Sequence, residues 1–202
     1  MALFYGVYLK DRSLSTALDY IRLLAEPKYF RRTHVTVRGP YKRKLNLHEE
    51  SELNKKFRRS GEILEIDGVG CFYEGDQSTI YLKCAIPGVM SVWRKPDFRN
   101  SFPHITLYDG NDRAFAEELK KIVSAVDWKF SVYVTGIRLI VSKRESNSIM
   151  EVLWEEPLKV GNKFVDGSKL LEIANCKNKN ERLEWIKKLC EVINAKYVVE
   201  CF

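Results

Sequence analysis

Two ten-residue stretches of this chain share one frame, and together they limit how it can fold. Residues 31–40 read RRTHVTVRGP and residues 101–110 read SFPHITLYDG. Both hold His-x-Thr between apolar neighbours, as His34-Val35-Thr36-Val37 and His104-Ile105-Thr106-Leu107. Alternation with period 2 marks strands, and in a strand residues two apart share a face. His34 and Thr36 therefore project to one side, while Val35 and Val37 project to the other, into a core. His104 and Thr106 stand together over Ile105 and Leu107 in the same way. The chain has only three histidines, two of them in this frame. A single His-x-Thr in a strand carries little information; two copies mark a site.

A face that carries imidazole and hydroxyl where apolar groups would be easier to bury has a chemical purpose. Two such pairs facing each other supply two imidazoles and two hydroxyls around one anion. An imidazole titrates near pH 6.5, so one ring can be neutral while its partner is protonated near neutrality. That is the pairing general base and general acid require. The hydroxyls hold phosphoryl oxygens, and no metal is called for.

Thr33–Val37 (THVTV) and Pro103–Leu107 (PHITL), at this separation, resemble the paired motifs of the two-histidine (2H) phosphoesterase superfamily, which includes 2′–5′ RNA ligase-like proteins and cyclic phosphodiesterases. The resemblance covers residues 3–153. It implies an α+β, bilobal fold with a pseudo-two-fold axis: two antiparallel sheets face a central cleft, with helices packed outside. It implies His34, Thr36, His104 and Thr106 as catalytic residues. The implied activity is a metal-independent phosphodiesterase acting on 2′,3′-cyclic phosphates, 2′–5′ linkages, cyclic oligonucleotides or RNA ends, without a cofactor. The ligase direction with the same residues stays open, as does which histidine is acid and which is base.

The net charge is distributed unevenly. Residues 1–60 carry 14 Lys/Arg against 6 Asp/Glu, and the remaining residues carry 20 against 21. The excess positive charge lies around the first motif, and it suggests a nucleotide or RNA partner before a membrane. A protein that holds RNA without turnover would share this asymmetry, so a binding module is the alternative from another class. A metal-dependent hydrolase built on His34, His48 and His104 is a third. His48 lacks the shared frame and reads as a surface or capping residue.

Around the motifs, Arg38, Tyr41, Trp93 and Tyr108 are candidates for contacting substrate. Arg38 lies two residues past Thr36, and its planar fork matches a phosphate. Tyr41 and Trp93 offer rings on which a base can stack, Trp93 from an irregular stretch over 88–101 rich in aromatic and cationic residues. Tyr108 follows Thr106 on the second strand.

Five cysteines in an odd count, without CxxC spacing, suit a reduced, cytoplasmic protein and no zinc site. The segment MALFYGVYLKDR lacks the charged-then-apolar order of a signal peptide, and no apolar run approaches the roughly 18 residues that cross a bilayer. Oligomeric state is left open.

Taken in order, residues 3–10 read as a strand. Leu14, Leu18, Ile21 and Leu24 recur at helical spacing between caps at Asp11 or Ser13 and a stop before Pro27. Residues 47–60 read as a helix with acid first and base last. Strands follow over 63–69, 71–73 and 79–85, with a turn at Glu74-Gly75-Asp76. Asp112 caps a helix whose stripe is Phe115, Leu119, Ile122 and Val126. Strands are expected over 128–134, 137–141 and 149–153, with a polar hairpin loop over 143–148. Residues 1–155 form the bilobal domain, and 156–202 form a helical extension packed on it. In that extension, residues 178–195 carry Leu183, Ile186, Leu189 and Val192 on one face, and 197–199 add a strand.

Overall fold

The structure of the protein, a computed structural model, describes residues 3–29, 31–59, 61–86, 102–140, 158–160, 163–165, 167–176 and 178–197. In chain order the elements are β1 (Leu3–Val7), α1 (Arg12–Ala25), a 3-10 turn (Pro27–Tyr29), β2 (Val35–Tyr41), α2 (Leu47–Arg58), β3 (Ile63–Glu74), β4 (Gln77–Ala85) and β5 (His104–Gly110). They continue with α3 (Arg113–Val123), β6 (Lys129–Tyr133), β7 (Arg138–Leu139), a short hairpin of β8 (Leu158–Val160) and β9 (Lys163–Val165), α4 (Gly167–Asn175) and α5 (Lys179–Tyr197).

Local signals place the helices. Asp11 caps α1 by accepting from Leu14 N at 3.0 Å, and the helix stops at Ala25, two residues before Pro27. Asn46 and Glu49 close a capping box at the start of α2, satisfying two of its free N–H groups. Asp112 caps α3 through Phe115 N at 3.1 Å.

The fold is α+β. Its main sheet has seven antiparallel strands in the order β6-β3-β4-β5-β2-β1-β7. The sequence suggests two sheets across a cleft; β1 to β7 lie in one sheet, because the two motif strands pair directly with Val35 opposite Ile105, and β8 and β9 pair only with each other among the described strands. Only edge-to-edge contact of the motif strands produces this, and strand patterns read singly do not contain it.

One apolar cluster runs from Leu14, Leu18 and Ile21 of α1 through Val35, Val37, Ile105 and Leu107 to Leu119 of α3. It also takes in Ile186, Leu189 and Ile193 of α5, which packs against α1 and α3. The buried face of α5 is Ile186, Leu189, Cys190 and Ile193, turned slightly from the expected stripe, with Val192 half-buried. Ile186 and Leu189 are fully buried, and each contributes about 2 kcal/mol. α5 is thus part of the same core. The expected strand over 149–153 and the loop over 143–148 lie outside the described residues, and Tyr197 ends α5 rather than starting a strand.

Candidate active site

Register assembles the four motif residues. With Val35 opposite Ile105 in antiparallel strands, His34 lies beside Thr106 and Thr36 beside His104. All four stand on the face opposite Val35, Val37, Ile105 and Leu107, which are buried in the core. Adding 70 to a residue number in β2 gives its counterpart in β5, so a local two-fold passes through the Val35–Ile105 pair. The histidines are diagonal neighbours, a placement that sets the residues about 7–8 Å apart and their Cβ atoms somewhat closer. Two rings at that spacing can reach one phosphorus between them.

Neighbouring strands extend the same face. Lys83 of β4 is directly opposite His104, and Tyr81 is directly opposite Thr106. On the other side Gly6 of β1 is opposite Thr36. Across four strands one row reads Lys83, His104, Thr36, Gly6, and the next reads Tyr81, Thr106, His34 and the end of β1. Lys83 is exposed and puts a cation beside His104 that the motif spacing alone does not reveal.

The two rings are held identically. His34 Nδ1 lies 2.7 Å from the carbonyl of Arg32, and His104 Nδ1 lies 2.8 Å from the carbonyl of Phe102. In each case the partner is the carbonyl two residues back. A carbonyl can only accept, so Nδ1 carries the proton in both neutral rings and Nε2 keeps its lone pair for a ligand.

Behind His34 lies a buried polar support. Asp19 of α1, fully buried, accepts from Thr33 N at 2.5 Å, from Thr33 Oγ1 at 2.7 Å and from Arg32 Nε at 3.2 Å. Arg32 Nη2 also donates to Ser15 Oγ at 3.2 Å. Ser15, Asp19, Arg22 and Glu26 recur at spacings of 4, 3 and 4, a polar stripe on one side of an otherwise buried helix. Asp19 ties down the residues immediately before His34, including the carbonyl that orients it. The signal available in the sequence was one aspartate inside the apolar run of α1.

Both imidazoles resist protonation. Burial is the main cause at His34, reinforced by the positive charge of Arg22; its pKa is pushed down to about 3, although the residue as a whole is half-buried. His104 itself acts electrostatically on His34, as expected of near neighbours. Burial also lowers His104, while the Phe102 carbonyl and Asp109 work in the opposite direction. Arg22 depresses both rings, and burial lowers its own pKa to about 10, which leaves it a cation at neutral pH. Its Nη1 is buried and has no hydrogen-bond partner among the described residues.

The flanking candidates fare differently. Arg38 is half-buried and donates from Nε to Tyr41 Oη at 2.6 Å, with its guanidinium over the Tyr41 ring. Tyr41 meets Tyr5 edge-on and packs against the core. Tyr108 is a correction. It does not share the face of Thr106, because an extra residue of β5 between Tyr108, opposite Ile80, and Thr106, opposite Tyr81, reverses the alternation. Its ring is buried against Phe115, and its hydroxyl accepts from Asp112 N at 3.0 Å. It lines a separate cleft of about 840 Å³ with Glu26, Asp109 and Arg182. Trp93 lies outside the described residues. His48 is exposed near the start of α2, as expected.

Aromatic residues not singled out by the motif analysis surround His104. Tyr81, Phe72 and Phe102 have ring centroids 5.1, 6.1 and 6.4 Å from its own. A bulge in β3 between Ile66 and Val69 turns Gly70 and Phe72 onto this face, so simple alternation from Leu64 and Ile66 misplaces them. On the His34 side, Tyr8 approaches at 6.1 Å, with Arg32 over its ring.

No family model, curated protein or solved structure matches the chain. Among the described residues there is no group of three or more His, Cys, Asp or Glu placed to hold a metal ion, and no helix long and apolar enough to cross a membrane.

Proposed function

We propose that this protein is a metal-independent phosphodiesterase of the two-histidine type, acting on a nucleotide or RNA-end phosphodiester in the cytoplasm. The observation that carries the reading is the two-fold arrangement of His34-Thr106 beside Thr36-His104, with both imidazoles oriented by the carbonyl two residues back. On this reading the two halves of the sheet on either side of the β2–β5 seam correspond to the two lobes of that family.

For a 2′,3′-cyclic phosphate the chemistry is as follows. His34, neutral at the working pH, takes a proton from water through Nε2 as the water oxygen bonds to phosphorus. The bond from phosphorus to one ribose oxygen breaks, and protonated His104 gives its Nε2 proton to that oxygen. Thr36 and Thr106 donate to the phosphoryl oxygens as charge builds on them, with Lys83 adding positive charge beside His104. A bound phosphate supplies the negative charge that raises His104 toward the protonated form it needs. The proton left on His34 exits to solvent, and His104 is reprotonated. With a ribose hydroxyl in place of water, the same groups run ligation.

The purified protein, assayed with EDTA against 2′,3′-cyclic nucleotides and 2′–5′ and 3′–5′ oligonucleotides, is expected to open at least one of them and leave a single terminal phosphate isomer. Turnover that disappears with chelator, or binding of all of these without turnover, would overturn the reading in favour of a metal enzyme or a binding module.

A further inference from the structure

We infer that Phe72, Tyr81 and Phe102 form a stacking platform for a nucleobase on the His104 side of the paired histidines; the platform rests on the function proposed above only for what happens to the attached phosphate. The three rings form one cluster. Phe72 stacks on Tyr81 at 4.6 Å with 23° between planes, and Phe102 lies 5.6 Å from Tyr81 and 6.0 Å from Phe72. Tyr81 is the floor, 3% exposed, while Phe72 and Phe102 are 37% and 38% exposed. Two large apolar rings left this open beside a polar face are better explained by a planar ligand than by packing alone.

The floor is built deliberately. Gly70 lies directly opposite Tyr81 in the middle of β3. A Cβ added there would sit 2.5 Å from Tyr81 Oη, so any other residue would displace the ring. Glycine weakens a strand interior and is retained where another group comes close. Here it lets an aromatic ring lie flat across the neighbouring strand, next to His104.

The occupant's chemistry follows from what adjoins the rings. A ligand that places a flat apolar group on Phe72 and Phe102 has its next groups within reach of His104, Thr106 and Lys83, which suit an anion. A nucleobase joined to a ribose phosphate has both parts in that order. Among the described residues the ring beside His34 is Tyr8, already covered by Arg32. The nucleoside half therefore lies over β3 and β4, its ribose oxygen leaves toward His104, and water enters from the His34 side. Stacking does not read base edges, so purines and pyrimidines both bind, the larger rings more tightly.

The test compares a 2′,3′-cyclic nucleotide with a base-free cyclic phosphate of glycerol, together with direct binding of adenosine monophosphate followed by NMR shifts of the His104 ring. Wild type is expected to favour the nucleotide in KM by about 5- to 100-fold, and Phe72→Ala and Phe102→Ala to lose that preference. Phe72→Trp should restore it, and Gly70→Ala should weaken it by disturbing Tyr81. Nucleotide binding that falls in Phe72→Ala while no diester is ever cleaved would keep the platform and sink the enzyme reading. Unchanged preference in both alanine variants, with only a lower melting temperature, would reduce the rings to packing and overturn the inference. So would failure of wild type to bind adenosine monophosphate.

Discussion

The two halves of the site use the same frame in opposite surroundings. His34 follows a segment pinned by a buried carboxylate, with Asp19 holding Thr33 and Arg32. His104 follows a segment lined with rings, with Phe102 two residues before it and Phe72 and Tyr81 beside it. Sequence repetition alone would make the two histidines equivalent. Their neighbours separate them: burial lowers both rings and Arg22 is the next cause at His34, whereas at His104 the Phe102 carbonyl and Asp109 work against burial and Lys83 stands directly opposite. A duplicated motif thus meets two environments, set by what packs around it and not by the motif.

Removing Asp19 breaks the comparison hardest. Asp19→Ala leaves two buried donors of Thr33 and the Arg32 guanidinium without their acceptor, and should cost about 3 kcal/mol or more in urea unfolding. The His34 ring resonances should move far more than those of His104; equal movement would mean that Asp19 supports the whole fold and not one half of the site. Lys83→Ala comes next. It should lower kcat/KM on a cyclic nucleotide about tenfold with a shallower salt dependence, and no change would remove Lys83 from the site.

Protonation sharpens the contrast. A ring titration by NMR is expected to put His34 near 3 and His104 below the ordinary 6.5. In the proposed mechanism His104 acts in its protonated form, so kcat/KM should fall as pH rises, with its alkaline limb below 6.5; a limb above that value would contradict the assignment. A further effect is on stability. The pKa of His34 is lower in the folded state than in the unfolded chain, so its contribution is intact above pH 6.5 and is lost as pH falls toward 3. His34→Gln should flatten that part of the stability profile.

Much of this was legible in the chain. Period-2 alternation gave both motif strands and the buried partners Val35, Ile105 and Leu107. Asp11, Pro27 and Asp112 marked helix ends, because caps and stops act within one turn. What stayed hidden depended on distant partners. Nothing local says that β2 pairs with β5 or that Asp19 meets Thr33. Two bulges also defeated strand alternation: one turned Phe72 onto the site face, and the other sent Tyr108 into the core. A bulge adds one residue and reverses every side chain after it, so alternation counted from one end of such a strand places the far end on the wrong face.

The central claim is that His34 and His104 act on one phosphorus centre. It is tested most directly by a double-mutant cycle, measuring cleavage of a 2′,3′-cyclic nucleotide in EDTA by wild type, His34→Ala, His104→Ala and the double variant. Each single change is expected to cost at least about 10²-fold in kcat with nucleotide binding retained, and the double variant to be little worse than the poorer single one. Single variants that keep full turnover, or losses that simply multiply in the double variant, would contradict a shared centre.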